Sequence, residues 1–196
     1  MTAPRLMLAS ASPRRAELLQ QLGLHFEVLP ADVDETAAAA ETAQALVERL
    51  AMTKARAVAR RYPDAVVLGA DTVVALDGDI FGKPRNEADA TRMLTALSGH
   101  SHHVCTAVAV VGAGECRSRL SVSRVTFARF DADAIANYWA TGEPRGKAGA
   151  YAIQGFGGAF VSHLEGSYSG VMGLPLHDTA VLLAAAGVSL AVVPGD

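Results

Sequence analysis

The feature that most constrains the fold is an apolar run at residues 65–76, which one acid, Asp71, interrupts. Continuous runs of valine, leucine and alanine are typical of a strand that is covered on both faces. Asp77-Gly78 follows the run, ahead of a second short apolar stretch. Asp-Gly between two apolar stretches favours a tight hairpin turn, because both central residues need positive φ. The sequence therefore predicts a buried hairpin over residues 65–84.

The register of this hairpin brings Asp71 and Lys83 to the same end of the ribbon. A two-residue loop pairs Leu76 with Asp79 and, counting back, Thr72 with Lys83. An ionised carboxylate without a partner is costly in an apolar strand. Two explanations of Asp71 stay open: an ion pair with Lys83, or a cation-dependent reaction centre. In an ideal strand Asp71 lies on the face opposite Thr72 and Lys83, so a bulge or strong twist is needed to join Asp71 with Lys83.

Composition indicates one globular domain over residues 1–196, since 51% of the residues are hydrophobic and no linker or repeat divides the chain. Seventeen Lys and Arg against twenty Asp and Glu provide no basic field for nucleic acid. No membrane-span or signal-peptide pattern is present. Cys105 and Cys116 lie at unequal distances from the predicted turn at residues 112–114, so no disulfide is expected. We expect a cytoplasmic protein without membrane or nucleic-acid partners.

A turn near the start of the chain has the features of an anion site. Residues 5–9 form a short strand, and Ser12 and Pro13 are typical of the cap and first position of a helix. Free backbone N–H groups there, with nearby hydroxyls and the guanidinium groups of Arg14 and Arg15, suit a phosphate. Taken alone, the segment favours the plainer alternative, a capped helix with two solvated arginines.

A lysine, an acidic stretch and two histidines each have more than one interpretation. A helix is predicted over residues 42–62, and at 100° per residue Lys54 falls within its apolar stripe. Lys54 either snorkels from the edge of that stripe or points inward at a ligand phosphate. Residues 32–35 include three acids, for which the local sequence favours a solvated loop over metal ligation. For His100 and His102, exposed positions at a strand entry are favoured over a metal pair.

The region 141–158 is rich in glycine and carries Gln154 near its end. It lacks the spacing of a dinucleotide-binding loop, and no strand–helix pair frames it. We interpret it as a loop, a strand and a turn in which the backbone approaches a ligand or another strand closely. The Gln154 amide offers an acceptor and donors to the edge of a base.

Together these side chains suit the hydrolysis of a phosphoanhydride. Cations spread phosphate charge, while paired carboxylates hold a metal such as Mg²⁺ and deprotonate water. No Gly-x-Ser-x-Gly motif supports acyl transfer. The cations and acids, each near a strand end or on an inward helix face, are Arg14, Arg15, Lys54, Lys83, Glu35 and Asp71.

With these motifs, the chain resembles the Maf family of nucleoside triphosphate pyrophosphatases over about residues 6–187. The resemblance implies an α/β fold with a central mixed twisted sheet flanked by helices, and two lobes around a nucleotide cleft. It also implies cleavage of the α–β bond of a nucleoside triphosphate to the monophosphate and pyrophosphate, a divalent metal cation (Mg²⁺ or Mn²⁺) as cofactor, and a homodimer. The matching stretches are residues 8–15, 33–35, 54–55, 69–74, 82–84, 148–155, 164–168 and 171–175.

The resemblance further implies a role for individual residues. Asp71 looks like the proton acceptor. The positions that match those setting base choice in the family are Arg14, Thr72 and Gln154. The positions that match its triphosphate and metal contacts are Ser10, Arg15, Lys54 and Lys83 for phosphate, and Glu35 and Asp71 for the metal.

The base-choice positions resemble the dTTP/UTP subgroup. A second subgroup, acting on 7-methylguanosine triphosphate, usually has an aromatic residue, Gln and Glu at the positions of Arg14, Thr72 and Gln154. An amide serves both the N3–H and the oxygens of uracil or thymine, whereas glutamate suits the donor edge of methylated guanine. We expect a pyrophosphatase for dTTP and UTP, with modified pyrimidine triphosphates as a further candidate class. The alternatives are a 7-methylguanosine triphosphate pyrophosphatase and a nucleotide-binding regulator of septum formation.

Overall fold

A mixed seven-stranded sheet forms the centre of the computed structural model, which describes residues 4–192. The strands are β1 (Leu6–Leu8), β2 (Glu27–Val28), β3 (Val66–Leu76), β4 (Asp79–Phe81), β5 (Ser101–Gly112), β6 (Glu115–Phe127) and β7 (Val161–Glu165). The helices are α1 (Pro13–Gln20), α2 (Ala43–Ala59), α3 (Glu87–Leu97), α4 (Ala132–Ala140), α5 (Tyr168–Met172) and α6 (Leu176–Ala185). The strand order is β2-β1-β3-β5-β6-β7, with β4 also beside β3. The expectation of a mixed sheet flanked by helices is confirmed.

Strand β3 has an interrupted edge at its centre. Strand β5 pairs antiparallel along one edge of β3, over residues 67–75. On the other edge, β1 pairs in parallel with residues 66–68 and β4 antiparallel with residues 74–76. In the part of the chain that the structure describes, no strand pairs with residues 69–73 on this second edge. We call this stretch the β3 gap, and Asp71 lies at its centre.

Alternation along β3 directs neighbouring side chains into two separate cores. Val67 and Val73 pack into the cluster formed with helix α2. Leu68 and Ala70 pack into the cluster formed with helices α1 and α6. Since successive side chains of a strand point to opposite faces, Asp71 lies on the α2 side and the next residue on the α1 side. The prediction that Asp71 and Thr72 lie on opposite faces of the sheet is therefore confirmed.

Helix α2 lies very close to the sheet where it crosses Gly69. A Cβ atom at Gly69 would lie 2.8 Å from the backbone nitrogen of Ala55 and closer still to the carbonyl oxygen of Ala51. Both are backbone atoms, so any side chain at position 69 would push the helix away from the strand. Lys54 comes from the turn of α2 between these contacts. Gly69 thus sets how closely Lys54 approaches the β3 gap.

The predicted hairpin turn forms as expected. Leu76 pairs with Asp79, and the two residues between them, Asp77 and Gly78, have φ values of 51° and 92°. Positive φ at both central residues is the requirement that makes Asp-Gly favourable in a type I′ turn. The turn therefore fixes the β3–β4 register from local sequence alone.

The second half of the predicted hairpin register is wrong. Strand β4 ends at Phe81, so Thr72 and Lys83 do not pair. The carbonyl oxygen of Gly82 instead accepts a hydrogen bond from the backbone N–H of Gly149 at 3.1 Å. This contact draws the chain away from β3 after three pairs, and it leaves the β3 gap open.

Two further expectations need correction. The glycine-rich region contains 3₁₀ turns at Ala148–Ala150 and from Phe156 onwards, and no strand between residues 141 and 160. His102 was expected to be exposed, but it is 1% exposed, because it lies on the inward face of β5. Its Nε2 lies 2.9 Å from the Tyr151 hydroxyl, and its ring packs edge-on against Phe127.

The expectations about cysteines and membrane segments can also be compared with the structure. Cys105 and Cys116 are both free thiols, and they do not lie opposite each other, since Cys105 pairs with Val122 and Cys116 with Val111. Within residues 4–192, no helix combines the length and the apolar character that crossing a bilayer requires.

Candidate active site

A cleft of about 640 Å³ opens at the β3 gap. This volume is in the range of small-molecule sites in proteins. The cleft is bounded by the loop after β1, the inward face of α2, the segment after β4 and the glycine-rich region. All the site residues selected from the sequence line it: Ser10, Arg14, Arg15, Glu35, Lys54, Asp71, Thr72, Lys83 and Gln154.

A lysine joins two carboxylates at the floor of the cleft. The Nζ atom of Lys54 lies 2.6 Å from Oδ1 of Asp71 and 2.6 Å from Oε1 of Glu35. Lys54 and Asp71 are 6% and 7% exposed, whereas the Glu35 side chain is about half exposed. The proposed ion pair between Asp71 and Lys83 is therefore wrong, because α2 supplies the partner of Asp71 from a different part of the chain.

Glu35 is held as a carboxylate by the cations around it. Partial burial would raise its pKa, but the hydrogen bond from Lys54 and the charges of Lys54, Lys83 and Arg15 lower the pKa below the usual value. The solvated-loop interpretation of residues 32–35 holds for Asp32 and Asp34, which are exposed. Glu35 is exposed as well, but its carboxylate also pairs with the buried Lys54 ammonium at the floor of the cleft.

The turn between β1 and α1 keeps polar groups free for a ligand. Ser12 occupies the cap position of α1, but its side chain makes no capping hydrogen bond. The first N–H groups of the helix therefore lack the usual side-chain acceptor, and they carry the positive end of the helix dipole. Ser10 is buried beside them, and its Oγ accepts hydrogen bonds from the N–H of Ser12 and from Arg15.

Arg15 ties three segments of the cleft together. Its Nε donates to the carbonyl oxygen of Gly173 at 2.9 Å, its Nη1 to Ser10 Oγ at 3.1 Å, and its Nη2 to Thr72 Oγ1 at 3.1 Å. Desolvation lowers the pKa of Arg15, and the charge of Asp71 opposes that shift. A guanidinium has five N–H donors, so two remain for a ligand after these three bonds.

Thr72 belongs to a buried hydroxyl pair that the sequence did not reveal. Its partner across the sheet is Thr106 of β5, which is fully buried. The Thr106 hydroxyl lies 3.0 Å from Thr72 Oγ1 and donates to the carbonyl oxygen of Gly170 at 2.8 Å. The Thr72 hydroxyl is thereby held between the Arg15 guanidinium and the Thr106 hydroxyl. Only the strand register, which is a tertiary property, identifies Thr106.

Arg14 and Gln154 point polar groups into the cleft with few protein partners. Arg14 is half-buried, its Nε makes a long contact of 3.4 Å to the carbonyl oxygen of Met172, and desolvation lowers its pKa. Gln154 is exposed, and its amide makes no hydrogen bond to any residue between 4 and 192. Lys83 is likewise exposed on the cleft wall. These groups are available to a ligand.

Lys147, which no sequence pattern singles out, also lines the cleft. Desolvation lowers the pKa of Lys147, and the nearby charge of Arg14 lowers it further. A single lysine in a glycine-rich loop has no periodicity or motif that separates it from a solvated residue. Its place in the cleft follows from the turns on either side of it.

Comparisons with known proteins identify the family of the chain. A family model described as Maf-like protein matches residues 5–186. The chain is 51% identical over 188 residues to a Methylobacillus flagellatus protein named dTTP/UTP pyrophosphatase, covering 95% of this chain and 94% of that protein. It is 53% identical over 199 residues to a protein of the same name from Ralstonia nicotianae, covering 95% and 96%.

Solved structures include similar chains of lower identity. One is a HAM1 protein from Coxiella burnetii, at 20% identity and a TM-score of 0.49, covering 65% of this chain and 74% of that chain. The family match over residues 5–186 and the relatives above 50% identity over most of both chains decide the assignment. The chain belongs to the Maf family.

Proposed function

We propose that this protein hydrolyses dTTP and UTP to the nucleoside monophosphate and pyrophosphate. Two relatives that match it over nearly their whole length are named for that activity. The observation that carries the proposal is the position of Lys54 between Asp71 and Glu35, at the floor of a cleft walled by further cations. Such a site combines a carboxylate for water activation with charge complementary to a triphosphate.

In this proposal, the triphosphate is held by groups on three sides of the cleft. The uncapped N–H groups of α1 and the Ser10 hydroxyl face it from the β1 side. The two remaining N–H groups of Arg15 and the ammonium groups of Lys54 and Lys83 supply positive charge. Donors fixed in a low-dielectric cleft stabilise developing phosphate charge without reorganising during the reaction.

Asp71 is the proposed proton acceptor for the attacking water. It sits in the β3 gap, where within the described residues β5 pairs with one edge of β3 and no strand pairs with the other, and the Lys54 ammonium orients its carboxylate from the α2 side. A general base needs both hydrogen-bond reach and a fixed direction. Burial of Asp71 in a strand meets the second requirement.

The residues of the cleft fit a divalent metal, Mg²⁺ or Mn²⁺. Asp71 and Glu35 both contact the same nitrogen of Lys54, so two hard carboxylate oxygens converge there. Mg²⁺ is commonly bound by one or two carboxylates together with substrate phosphates and water. No group of three or more metal-ligating side chains occurs within residues 4–192, so substrate oxygens and water would complete the shell. When bound, the metal neutralises phosphate charge as a Lewis acid.

We assign base choice to Gln154, Arg14 and Thr72. The free amide of Gln154 can donate to and accept from a pyrimidine edge, as uracil and thymine require. Arg14 keeps its terminal N–H groups free of the contact with Met172. The Thr72 hydroxyl is already hydrogen-bonded to Arg15 and Thr106, so Thr72 would influence base choice through its place in the cleft and not as a free donor.

The test measures the products formed from dTTP and from UTP with Mg²⁺ or Mn²⁺. Pyrophosphate and the monophosphate are expected in equal amounts, and release of orthophosphate alone contradicts the proposal. Asp71→Asn should reduce kcat at least about a hundredfold while nucleotide still binds. Asp77→Asn, an acid-to-amide change on the hairpin turn and outside the cleft, is the matched control.

A substrate panel scored by kcat/KM distinguishes the base specificities, because discrimination is expressed in that ratio. The panel contains dTTP, UTP and 7-methylguanosine triphosphate. We expect the two pyrimidine nucleotides to rank above the methylated purine. A higher kcat/KM for 7-methylguanosine triphosphate would reassign the protein to the other specificity.

Three expectations from the sequence stay predictions of this proposal. They are one domain over residues 1–196, a homodimer, and a cytoplasmic location. Light scattering on purified protein tests the dimer, and a single unfolding transition seen by two probes tests the single domain. Fractionation of cells tests the location.

A further inference from the structure

The carboxylate of Glu143 is bonded on both oxygens to the chain that follows Gln154. Its Oε1 accepts hydrogen bonds from the Tyr138 hydroxyl at 2.7 Å and from the backbone N–H of Gly157 at 2.9 Å. Its Oε2 accepts from the backbone N–H of Phe156 at 2.9 Å. Two consecutive backbone donors and one hydroxyl therefore converge on a single side chain.

Tyr138 extends this anchor to the chain that precedes Gln154. Its hydroxyl donates to Glu143 and accepts from the backbone N–H of Ala152 at 3.1 Å. Tyr138 is only 4% exposed and belongs to helix α4. The segment of residues 152–157, which we call the Gln154 turn, is thus held at its start by Tyr138 and at its end by Glu143.

Glycine residues let the Gln154 turn close directly onto this pair. A Cβ atom at Gly155 would overlap the carboxylate of Glu143, and one at Gly157 would lie 2.5 Å from the Tyr138 hydroxyl. No side chain fits between the turn and its anchor. The contact is therefore a close backbone docking, and it depends on hydrogen bonds for its geometry.

A salt bridge does not account for the position of the Glu143 carboxylate. Among the residues from 4 to 192, no lysine, arginine or histidine forms a salt bridge with it. Burial alone would raise its pKa, but the hydrogen bonds from Tyr138, Gly157 and Phe156 lower it, and the charge of Lys147 adds to this lowering without a salt bridge. Glu143 also does not line the cleft, whereas Gln154 does.

From these contacts we propose that Glu143 is a positioning residue for base recognition, acting through the Gln154 turn. The inference rests on the proposed function, in which the Gln154 amide faces the nucleobase. The amide has no hydrogen bond within the described chain, so the backbone of the turn is what fixes the position and direction from which the side chain enters the cleft. A misplacement of about 1 Å is enough to lose much of a directional contact. Glu143 thereby controls base discrimination without touching substrate.

The main test is Glu143→Gln, which keeps the size of the side chain. The glutamine NH₂ group replaces one of the two acceptor oxygens. At least one of the three groups that donate to Glu143 then faces the NH₂, which cannot accept a hydrogen bond. We expect kcat/KM for dTTP to fall about tenfold, mostly through KM, and the preference for dTTP over dCTP to fall by a similar factor. Glu115→Gln, which changes an exposed acid paired with Arg117 at a hairpin tip, is the control and should leave both unchanged.

A double-mutant cycle with Gln154→Ala separates positioning from general destabilisation. If Glu143 acts through Gln154, then Glu143→Gln has little further effect on discrimination once the amide is gone. Equal losses of discrimination with and without the Gln154 amide would overturn the proposal. So would a Glu143→Gln enzyme that keeps the wild-type preference, or one that loses kcat alone.

A second variant covers the case in which Glu143→Gln does not fold. Tyr138→Phe removes one donor to Glu143 and the acceptor of Ala152 while keeping the buried ring. Tyr138→Phe should also lower the preference for dTTP over dCTP, and an unchanged preference would overturn the proposal. Failure of the proposed function is a separate result, because the wild-type protein would then release no pyrophosphate from dTTP.

Discussion

The Nζ atom of Lys54 lies 2.6 Å from Oδ1 of Asp71, joining helix α2 to the centre of strand β3 inside the protein. The two residues are 6% and 7% exposed. A buried ion pair contributes little net stability, since desolvating both charges offsets most of their attraction, but removing one partner is strongly destabilising. The pair is therefore better explained by the chemistry of the cleft than by the stability of the fold.

The first prediction separates stability from activity at this pair. Lys54→Met should lower the free energy of unfolding by about 3 kcal/mol, because it leaves buried Asp71 without its partner. Adding Asp71→Leu should recover most of that loss, since the uncompensated charge is gone. Both variants should lack pyrophosphatase activity.

Urea denaturation followed by circular dichroism measures the two unfolding free energies, and pyrophosphate release measures activity. A double variant that is less stable than Lys54→Met would contradict the prediction. Restored activity in the double variant would contradict the proposed catalytic role of Asp71.

The second prediction concerns the close approach of α2 to β3 at Gly69. Gly69→Ala should lower the free energy of unfolding by about 1–3 kcal/mol, because the new methyl group meets backbone atoms of Ala51 and Ala55. It should also lower kcat about tenfold or more, since α2 carries Lys54 away from Asp71. Denaturation and product assays on the same preparation measure the two effects.

Gly112→Ala is the matched control for this change. The added Cβ would lie 3.4 Å from side-chain atoms of Ala186 and Val66, an ordinary packing distance, and none of these three residues lines the cleft. We expect little change in stability or activity. A Gly69→Ala protein that behaves like Gly112→Ala would show that the helix can shift without consequence.

Local sequence signals predicted the parts of the fold that depend on near neighbours. The Asp77-Gly78 turn, the start of α2 at Thr42 and the place of Lys54 on the apolar stripe of α2 all follow from turn geometry, capping and helical periodicity, although periodicity left open whether Lys54 snorkels or points inward. The residues selected for the site do line one cleft. Their roles in catalysis stay predictions.

The contacts that sequence reasoning missed are all tertiary. Asp71 pairs with Lys54 in place of Lys83 because a glycine lets α2 cross β3 closely, and no local pattern encodes that crossing. Thr106 reaches Thr72 only through the β3–β5 register. The chain between Glu143 and the Gln154 turn contains glycines, which allow several backbone conformations. The hydrogen bonds from the turn to Glu143 therefore could not be predicted from the sequence.

The third prediction compares two buried threonines that differ in their hydrogen bonding. Thr106 bonds to Thr72 and Gly170, whereas Thr179 Oγ1 is buried without a partner in the described structure. Thr106→Val should lower the free energy of unfolding by about 1–3 kcal/mol, because it removes a shared partner of two polar groups. Thr179→Val should be neutral or stabilising, since it replaces a hydroxyl that makes no bond.

The same pair of variants also tests the network around Arg15. Thr106→Val should raise KM for dTTP, because Thr72 then holds the Arg15 guanidinium less firmly. Thr179→Val should leave KM unchanged. Equal unfolding free energies for the two variants, measured by urea denaturation, would argue against a structural role for the Thr72–Thr106 pair.

The fourth prediction is a loss of stability on the acid side that originates at His102. Burial is the main cause that lowers the pKa of His102 from 6.5 to about 4, and the charge of His103 lowers it further. Between these two values the unfolded chain binds a proton that the folded protein does not, so the free energy of unfolding falls as the pH falls from 6.5 to about 4. The His102 contribution is complete above pH 6.5, and its loss amounts to about 3 kcal/mol.

His102→Gln should remove this part of the pH dependence, because glutamine keeps a neutral polar group near the Tyr151 hydroxyl but does not titrate. His163→Gln, which changes an exposed histidine, is the control and should keep the wild-type slope. Urea denaturation at intervals between pH 4 and 7 measures all three proteins. A His102→Gln protein whose stability falls with pH as steeply as the wild type would show that other groups cause the acid sensitivity, since the buried imidazole would then contribute no differential proton uptake.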